Sequence, residues 1–305
     1  ADFMMILSEM LRKVDCPADL LRDGSFAVLE QCTRIRAPQA LTYLENGKYL
    51  GALDHPDISC VICTPELADK IPSHISGVAV TASPKLLFFL LHNMLVEQRE
   101  KVPTKIDPSA EISPQAYIAP YDVVIGPGVQ IGPFVTVYEN STIMQHVHIC
   151  AGTVIGGQSF TAVHDTRGGM FLARDAGGVL IEENVEICAG CHIACGTLEK
   201  DQTIIGANSK LDAKVYIGHG TVLGKRVLVP SGAHIAGNCI VGDDVWAGVN
   251  ATVSNRISIG DGARVSLGSV VTKDVPAGQT VTADDLCVAA GGGLSPLLAA
   301  AFISA

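Results

Sequence analysis

The sequence predicts a mainly β protein: a left-handed parallel β-helix, preceded by a small N-terminal α/β domain and followed by a short C-terminal tail or helix. Two observations carry this. An apolar residue returns at every sixth position: Ile205, Leu211, Ile217, Leu223, Val229, Ile235, Val241, Ala247, Val253, Ile259, Val265 and Val271. Four residues after each stands a small or β-branched one, as at Ser209, Val215, Thr221 and Ala233. A fixed internal period sets architecture more directly than any local motif. A period of six fits neither helical repeat. Each hexad is instead a short strand plus a turn, and three hexads close one triangular coil. The first and fifth residues point inward and stack from coil to coil. No coil buries its face alone, so stability comes from stacking. Gly, Asn and Asp mark the corners, where positive φ is needed.

Three segments follow, at 1–100, 101–278 and 279–305. The first lacks the hexad. Residues 3–14 read as an amphipathic helix, 26–31, 58–63 and 77–81 as short strands, and 84–97 as a second helix. The hexad then runs through Ile106, Ile112 and Ile118, skips one residue, and continues from Ile125 to Ile155. Residues 161–179 break it, and Ile181, Ile187 and Ile193 restore it. A loop that interrupts a regular solenoid is a place to look for function. Residues 199–204 depart more gently. The apolar stretch from Leu294 to Ile303 reads as a docked or peripheral helix.

Composition excludes several classes. Aromatic content of 5% suits a solenoid core of Ile, Val and Ala. A net charge of −10 argues against nucleic acid, which requires a basic footprint. No apolar run reaches 18 residues, so no membrane span is expected, and no secretory signal is recognised. Ten cysteines raise a zinc alternative through Cys60-x-x-Cys63 and Cys188-x-x-Cys191. Register weighs against it. Cys191 and Cys239 fall at the inward fifth position, and Cys60 and Cys63 face opposite sides of a strand. Reduced thiols in a cytoplasmic protein are the expectation.

Two tracts carry chemistry. Leu41-Thr-Tyr43-Leu-Glu-Asn46-Gly-Lys-Tyr49 holds two aromatics and an amide; alone, these are equally core or surface residues. His219 differs from the histidines at the sixth hexad position (His148, His192 and His234), because it occupies the third, at a turn. A turn histidine is either a solvated side chain or a base whose pKa suits proton transfer at neutral pH. Asp212 stands one hexad back, on the adjacent face, and its reach to His219 is left open.

Together these tracts resemble the UDP-3-O-acylglucosamine N-acyltransferase family of lipid A synthesis, within the hexapeptide-repeat acyltransferases. The first is similar to LSFLxNPKY, with Gly47 in place of Pro. Lys210-Leu-Asp212-Ala-Lys-Val-Tyr-Ile-Gly218-His219-Gly is similar to LDNxxQIAHN. The resemblance implies that Tyr43 and Tyr49 stack on uracil with Asn46 nearby, that His219 is the general base, and that Asp212 supports it. It also implies that the Gly218 N–H polarises the thioester carbonyl. Gly157-Gln-Ser-Phe160 resembles the family's GxxGF segment, which places Phe160 at the substrate. Departures exist: Ile193-Ala-Cys-Gly196 replaces IDRG, and Arg256 replaces a second active-site His while still able to clamp a phosphate. Leu267-Gly-Ser-Val-Val-Thr-Lys273-Asp-Val-Pro276 resembles the closing motif of acetyl-CoA-dependent hexapeptide acetyltransferases, which places Lys273 at the donor's phosphates.

The resemblance therefore implies transfer of an acyl group from a phosphopantetheine thioester, on acyl carrier protein or CoA, to the amine of a UDP-linked amino sugar. It implies a homotrimer with sites between subunits, membrane contact only peripherally through the product, and no tightly bound cofactor or metal. Two alternatives stand: an acetyl-CoA-dependent nucleotide-amino-sugar acetyltransferase of surface polysaccharide synthesis, and a non-catalytic sugar-nucleotide-binding scaffold.

Overall fold

The computed structural model describes residues 4–282 and divides by contact into two units. The second unit is the solenoid. It has three parallel faces of 8, 9 and 8 short strands. The first face includes Val123–Ile125, Gly178–Ile181, Gln202–Ile205, Val222–Leu223 and Ile240–Val241. The second includes Lys210–Leu211, Leu228–Val229 and Trp246–Ala247, and the third His192–Ala194, Tyr216–Ile217 and His234–Ile235. Successive strands visit the faces in turn, so each coil hydrogen-bonds to the next, as in Ile217 opposite Ile235.

The hexad explains this core. Its first residues, from Ile125 to Val271, are nearly solvent-free, and so are fifth residues such as Val215, Ala233 and Cys239. Inward hydroxyls at the fifth position are satisfied locally. The Ser209 hydroxyl donates to Gly224 O (3.1 Å) and accepts from Val227 N (3.0 Å). Thr221 does the same with Ala236 O (2.6 Å) and Cys239 N (3.1 Å). Fourth residues take positive φ at each corner, including Asn208, Lys214, Gly220, Arg226, Asn238 and Arg256. Lys and Arg in this conformation are strained relative to Gly or Asn, and corner-to-corner bonds such as Arg256 N to Gly237 O (3.0 Å) hold them there. The solenoid also extends past the expected boundary at 278, since Thr280–Val281 pairs with Arg264–Val265.

The first unit comprises the chain up to 101 together with 158–177 and 196–201. This corrects the simple three-segment division, because both departures from the hexad join the N-terminal unit by contact. Its sheet runs in the order Asp19–Arg22, Gly77–Val80, Ile58–Cys63, Ala40–Leu44, Val28–Leu29, antiparallel only at the first pair. Helix α1 is shorter than expected, spanning Leu7–Leu11 after a strand at Met5–Ile6, while α2 covers Pro84–Gln98. The strands at 19–22 and 40–44 were not anticipated. Cys60 and Cys63 do enter clusters on opposite sheet faces. The expected helix at Leu294–Ile303 lies outside the described residues.

The hairpin Ala162–His164/Met170–Leu172 sends Val163 and Ala173 into the cluster beneath α2. Asp175 ties its base by accepting from Ser159 N (2.8 Å), and Ser159 meets Thr197 at 2.9 Å. Arg36 bonds Asp201 and lies 3.6 Å from the fully buried Glu30. Burial pushes the Glu30 carboxyl up to about 7, against the pull of Arg36.

Candidate active site

The turn carrying His219 joins the third face to the first. Gly218 and Gly220 flank the residue, and Gly220 takes φ +65°. The imidazole is half-buried, with Nδ1 withdrawn from solvent. Its Nε2 lies over Gly237, one coil onward, where a Cβ would approach to 2.6 Å. A Cβ on Gly218 would sit 2.4 Å from the Gly237 nitrogen. Glycine at both positions is therefore what lets the ring and the two corners close up. Asn238 N donates to His219 O at 2.8 Å.

This geometry reassigns one expected role. The Gly218 N–H donates to Ile235 O at 2.8 Å, within the coil-to-coil ladder, so it is not available to a thioester oxygen. Gly237 is the residue that sequence reasoning missed. Among the described residues its N–H has no intramolecular acceptor. At equivalent third positions the N–H points outward to anionic oxygen: Ala207 N to Glu182 Oε2 (2.9 Å), Lys225 N to Asp243 Oδ1 (2.9 Å), Asp243 N to Asp261 Oδ1 (2.8 Å). The hexad register alone could have found it, by looking one coil beyond the histidine.

Asp212 occupies the preceding corner, between the second and third faces. Its carboxylate accepts its neighbour Ala213 N (2.7 Å) and lines a shallow groove with Lys210, Leu228 and Trp246. Within the chain it is grouped with that groove and not with the imidazole. Arg256 and Lys273 do share the His219 corner. Arg256 N bonds Gly237 O, and exposed Lys273 lies in the tightened turn three coils from His219, roughly 14 Å at the usual strand spacing. Outward on the third face, His192, Tyr216 and His234 stack with centroids 5.5 and 5.8 Å apart. Burial lowers the His192 pKa and raises that of Tyr216.

In the first unit, Tyr43, Asn46 and Tyr49 gather at the carboxyl end of the strand Ala40–Leu44, the end at which parallel α/β sheets bind ligands. Tyr43 leans on Phe88 (centroids 4.9 Å apart) in the cluster beneath α2. Tyr49 packs on the opposite cluster, with the Lys48 ammonium 5.1 Å from its ring centroid. Both rings stay half-buried. Asn46 caps the following 3-10 turn by accepting Lys48 N (3.0 Å), which leaves its amide NH2 for other partners. Phe160 is 82% exposed on the loop leading into the hairpin.

Known proteins match this chain in sequence and in fold. Residues 122–157 match the bacterial transferase hexapeptide model of six repeats. The chain is similar to the UDP-3-O-acylglucosamine N-acyltransferase of Helicobacter hepaticus, at 32% identity over 72% of this chain and 71% of that protein. It is similar to the Helicobacter pylori enzyme of the same name at 28%, over 78% and 76%. A solved UDP-N-acetylglucosamine acyltransferase from Francisella novicida superposes with TM-score 0.51 at 25% identity, over 60% of this chain and 66% of that one. With a hexapeptide-repeat match inside the solenoid and a relative 32% identical over about seven-tenths of both proteins, the chain belongs to the UDP-3-O-acylglucosamine N-acyltransferase family.

Proposed function

We propose that this acyltransferase moves an acyl group from a phosphopantetheine thioester to the amine of a UDP-linked 3-O-acylglucosamine. The carrying observation is the His219 imidazole, whose Nε2 lies against the glycine corner of Gly237. The amine nitrogen attacks the thioester carbonyl while Nε2 takes its proton. The C–N bond forms, the C–S bond breaks, and the proton passes to the departing sulfur. No covalent enzyme intermediate is needed. The Gly237 N–H is the reassigned donor to the developing oxyanion, a contribution typically worth 10²- to 10³-fold in rate.

Lys273 and Arg256, along the same corner, suit the phosphates of the donor and of the acceptor. Tyr43, Asn46 and Tyr49 suit a uracil, because half-buried rings offer flat area at low entropic cost. Phe160 adds apolar contact to the acceptor. Asp212 acts through the groove it lines. A homotrimer is supported by the first face, whose outward row of Val124, Thr142, Leu180, Ile204, Val222 and Ile240 is largely apolar and borders the His219 corner. Among the described residues no helix is long and apolar enough to cross a membrane, which accords with a cytoplasmic enzyme.

Steady-state turnover with UDP-3-O-acylglucosamine tests the reading. 3-Hydroxyacyl carrier protein should serve as donor, and His219→Ala should abolish transfer. Transfer from acetyl-CoA alone would instead favour the acetyltransferase reading, which Lys273 keeps open. Equal turnover by wild type and His219→Ala would leave only a binding scaffold.

A further inference from the structure

Most corners of the solenoid are closed by the same bond, although at Gly128 the acceptor is the Ser109 hydroxyl (3.0 Å). The residue with positive φ donates its N–H to a backbone carbonyl of the coil below: Lys214 to Ala189 (3.0 Å), Arg226 to Ala207 (2.9 Å), Asn238 to His219 (2.8 Å), Arg256 to Gly237 (3.0 Å). Gly220, immediately after His219, breaks this rule. Beneath it the chain leaves the solenoid at Gly196 and re-enters at Gln202, so the coil below has no regular turn at that corner. The Gly220 N–H donates instead to the side chain of Thr203, at 2.9 Å to Oγ1. The Thr203 hydroxyl in turn donates to Ala194 O at 2.7 Å, and the residue is wholly buried.

We infer that Thr203 is a positioning residue for the His219 base, its hydroxyl standing in for the missing corner carbonyl. The need is local. Gly218-His219-Gly220 puts the imidazole between two residues without Cβ, the least restrained backbone the chain can offer. The bonds that fix the tripeptide include Gly218 N to Ile235 O, Asn238 N to His219 O, Thr221 N to Gly218 O within the turn, and Gly220 N to Thr203. The first two pull it toward the coil above, and Thr203 ties it to the coil below. Losing that tie lets the corner shift or rotate, and with it the line from Nε2 to the Gly237 N–H. Misplacing a catalytic group by about 1 Å can cost 10²-fold in rate.

The inference rests on the proposed transferase reading for its kinetic arm, and a second arm stands without it. Thr203→Val keeps the shape and removes the hydroxyl, and Thr203→Ser keeps the hydroxyl. Ser209→Ala removes a comparable buried hydroxyl at a corner between the first and second faces, away from His219. In Thr203→Val, kcat should fall ~10- to 100-fold at unchanged KM. Thr203→Ser should recover most of it, and Ser209→Ala should lose thermal stability while keeping kcat. Hydrogen exchange at the Gly220 amide should accelerate at least about tenfold in Thr203→Val and not in the other two. Wild-type kcat in a folded Thr203→Val, or equal losses in the Val and Ser variants, overturns the inference. If wild type turns over no thioester, the transferase reading fails, and the exchange arm alone decides whether Thr203 holds the corner.

Discussion

At the residue scale, the proposed chemistry comes down to one imidazole and the glycine beside it. Gly237 has no room for a methyl group, because a Cβ there would press on Nε2 at 2.6 Å. Gly237→Ala should therefore displace the His219 ring and cut kcat on the order of 10²-fold while the fold survives, since φ at this position is not in the glycine-only region. Comparison of kcat and the circular dichroism spectrum checks both halves. His219→Ala should lose on the order of 10³-fold or more, the usual worth of a positioned general base. A second residue-scale prediction concerns Glu30. Its folded pKa stands at about 7 against an ordinary 4.5, mainly through burial. The folded protein holds a proton across that window that the unfolded chain has released, so Glu30 makes stability decline as pH rises from about 4.5 to about 7. Glu30→Gln should flatten that decline in melting temperature; an unchanged slope would falsify the assignment. The sequence singles out His219 because its hexad position is unusual, and does not single out Gly237 because the imidazole it packs against lies 18 residues away in the chain. Gly218 was misassigned for a related reason. Which face of the turn its N–H takes is decided by the ladder to Ile235, a contact that neighbouring residues do not announce.

At the element scale, the unit is the coil, and here the sequence was most informative. From Ile125 onward each apolar first residue and small fifth residue lies inside, because period and geometry are the same fact. The N-terminal unit was harder to read. Ala40–Leu44 is covered on both faces, so it shows no alternation to mark it as a strand. The two interruptions were visible as breaks, but their membership in the first unit depends on tertiary bonds. Asp175 is the clearest of these. Burial raises its pKa, and its carboxylate holds the Ser159 N–H and hydroxyl. Asp175→Ala should cost about 1–3 kcal/mol, as expected when buried donors lose their acceptor. The opening should be local, seen as faster amide exchange over 159–173 with protection of the solenoid core unchanged. Simultaneous loss of both would mean that the loop and the solenoid unfold as one unit.

At the scale of the whole molecule, the first face poses a physical demand. Its inward residues, Ile125 through Val241, are buried in the prism, yet the outward neighbours are apolar too, and Val124 and Ile240 remain 45% and 53% exposed in the single chain. A row of this kind costs free energy in water, at roughly 25 cal/mol per Å² left uncovered, and contiguous patches of it mark association sites. The same face begins three residues after His219, so whatever covers it lies beside the proposed base. Three copies around a cyclic axis would cover it and complete three equivalent clefts, with each histidine facing a neighbour. Leu180→Glu combined with Ile204→Glu should therefore produce a monomer by light scattering at micromolar concentration, with coil structure retained by circular dichroism. Turnover should fall on the order of 10²-fold, because water then enters beside the base and the second wall of the thioester site is gone. A monomeric variant with wild-type kcat would place all the chemistry within one prism. The apolar row would then need a different explanation from the one that makes subunit contact and catalysis parts of a single surface.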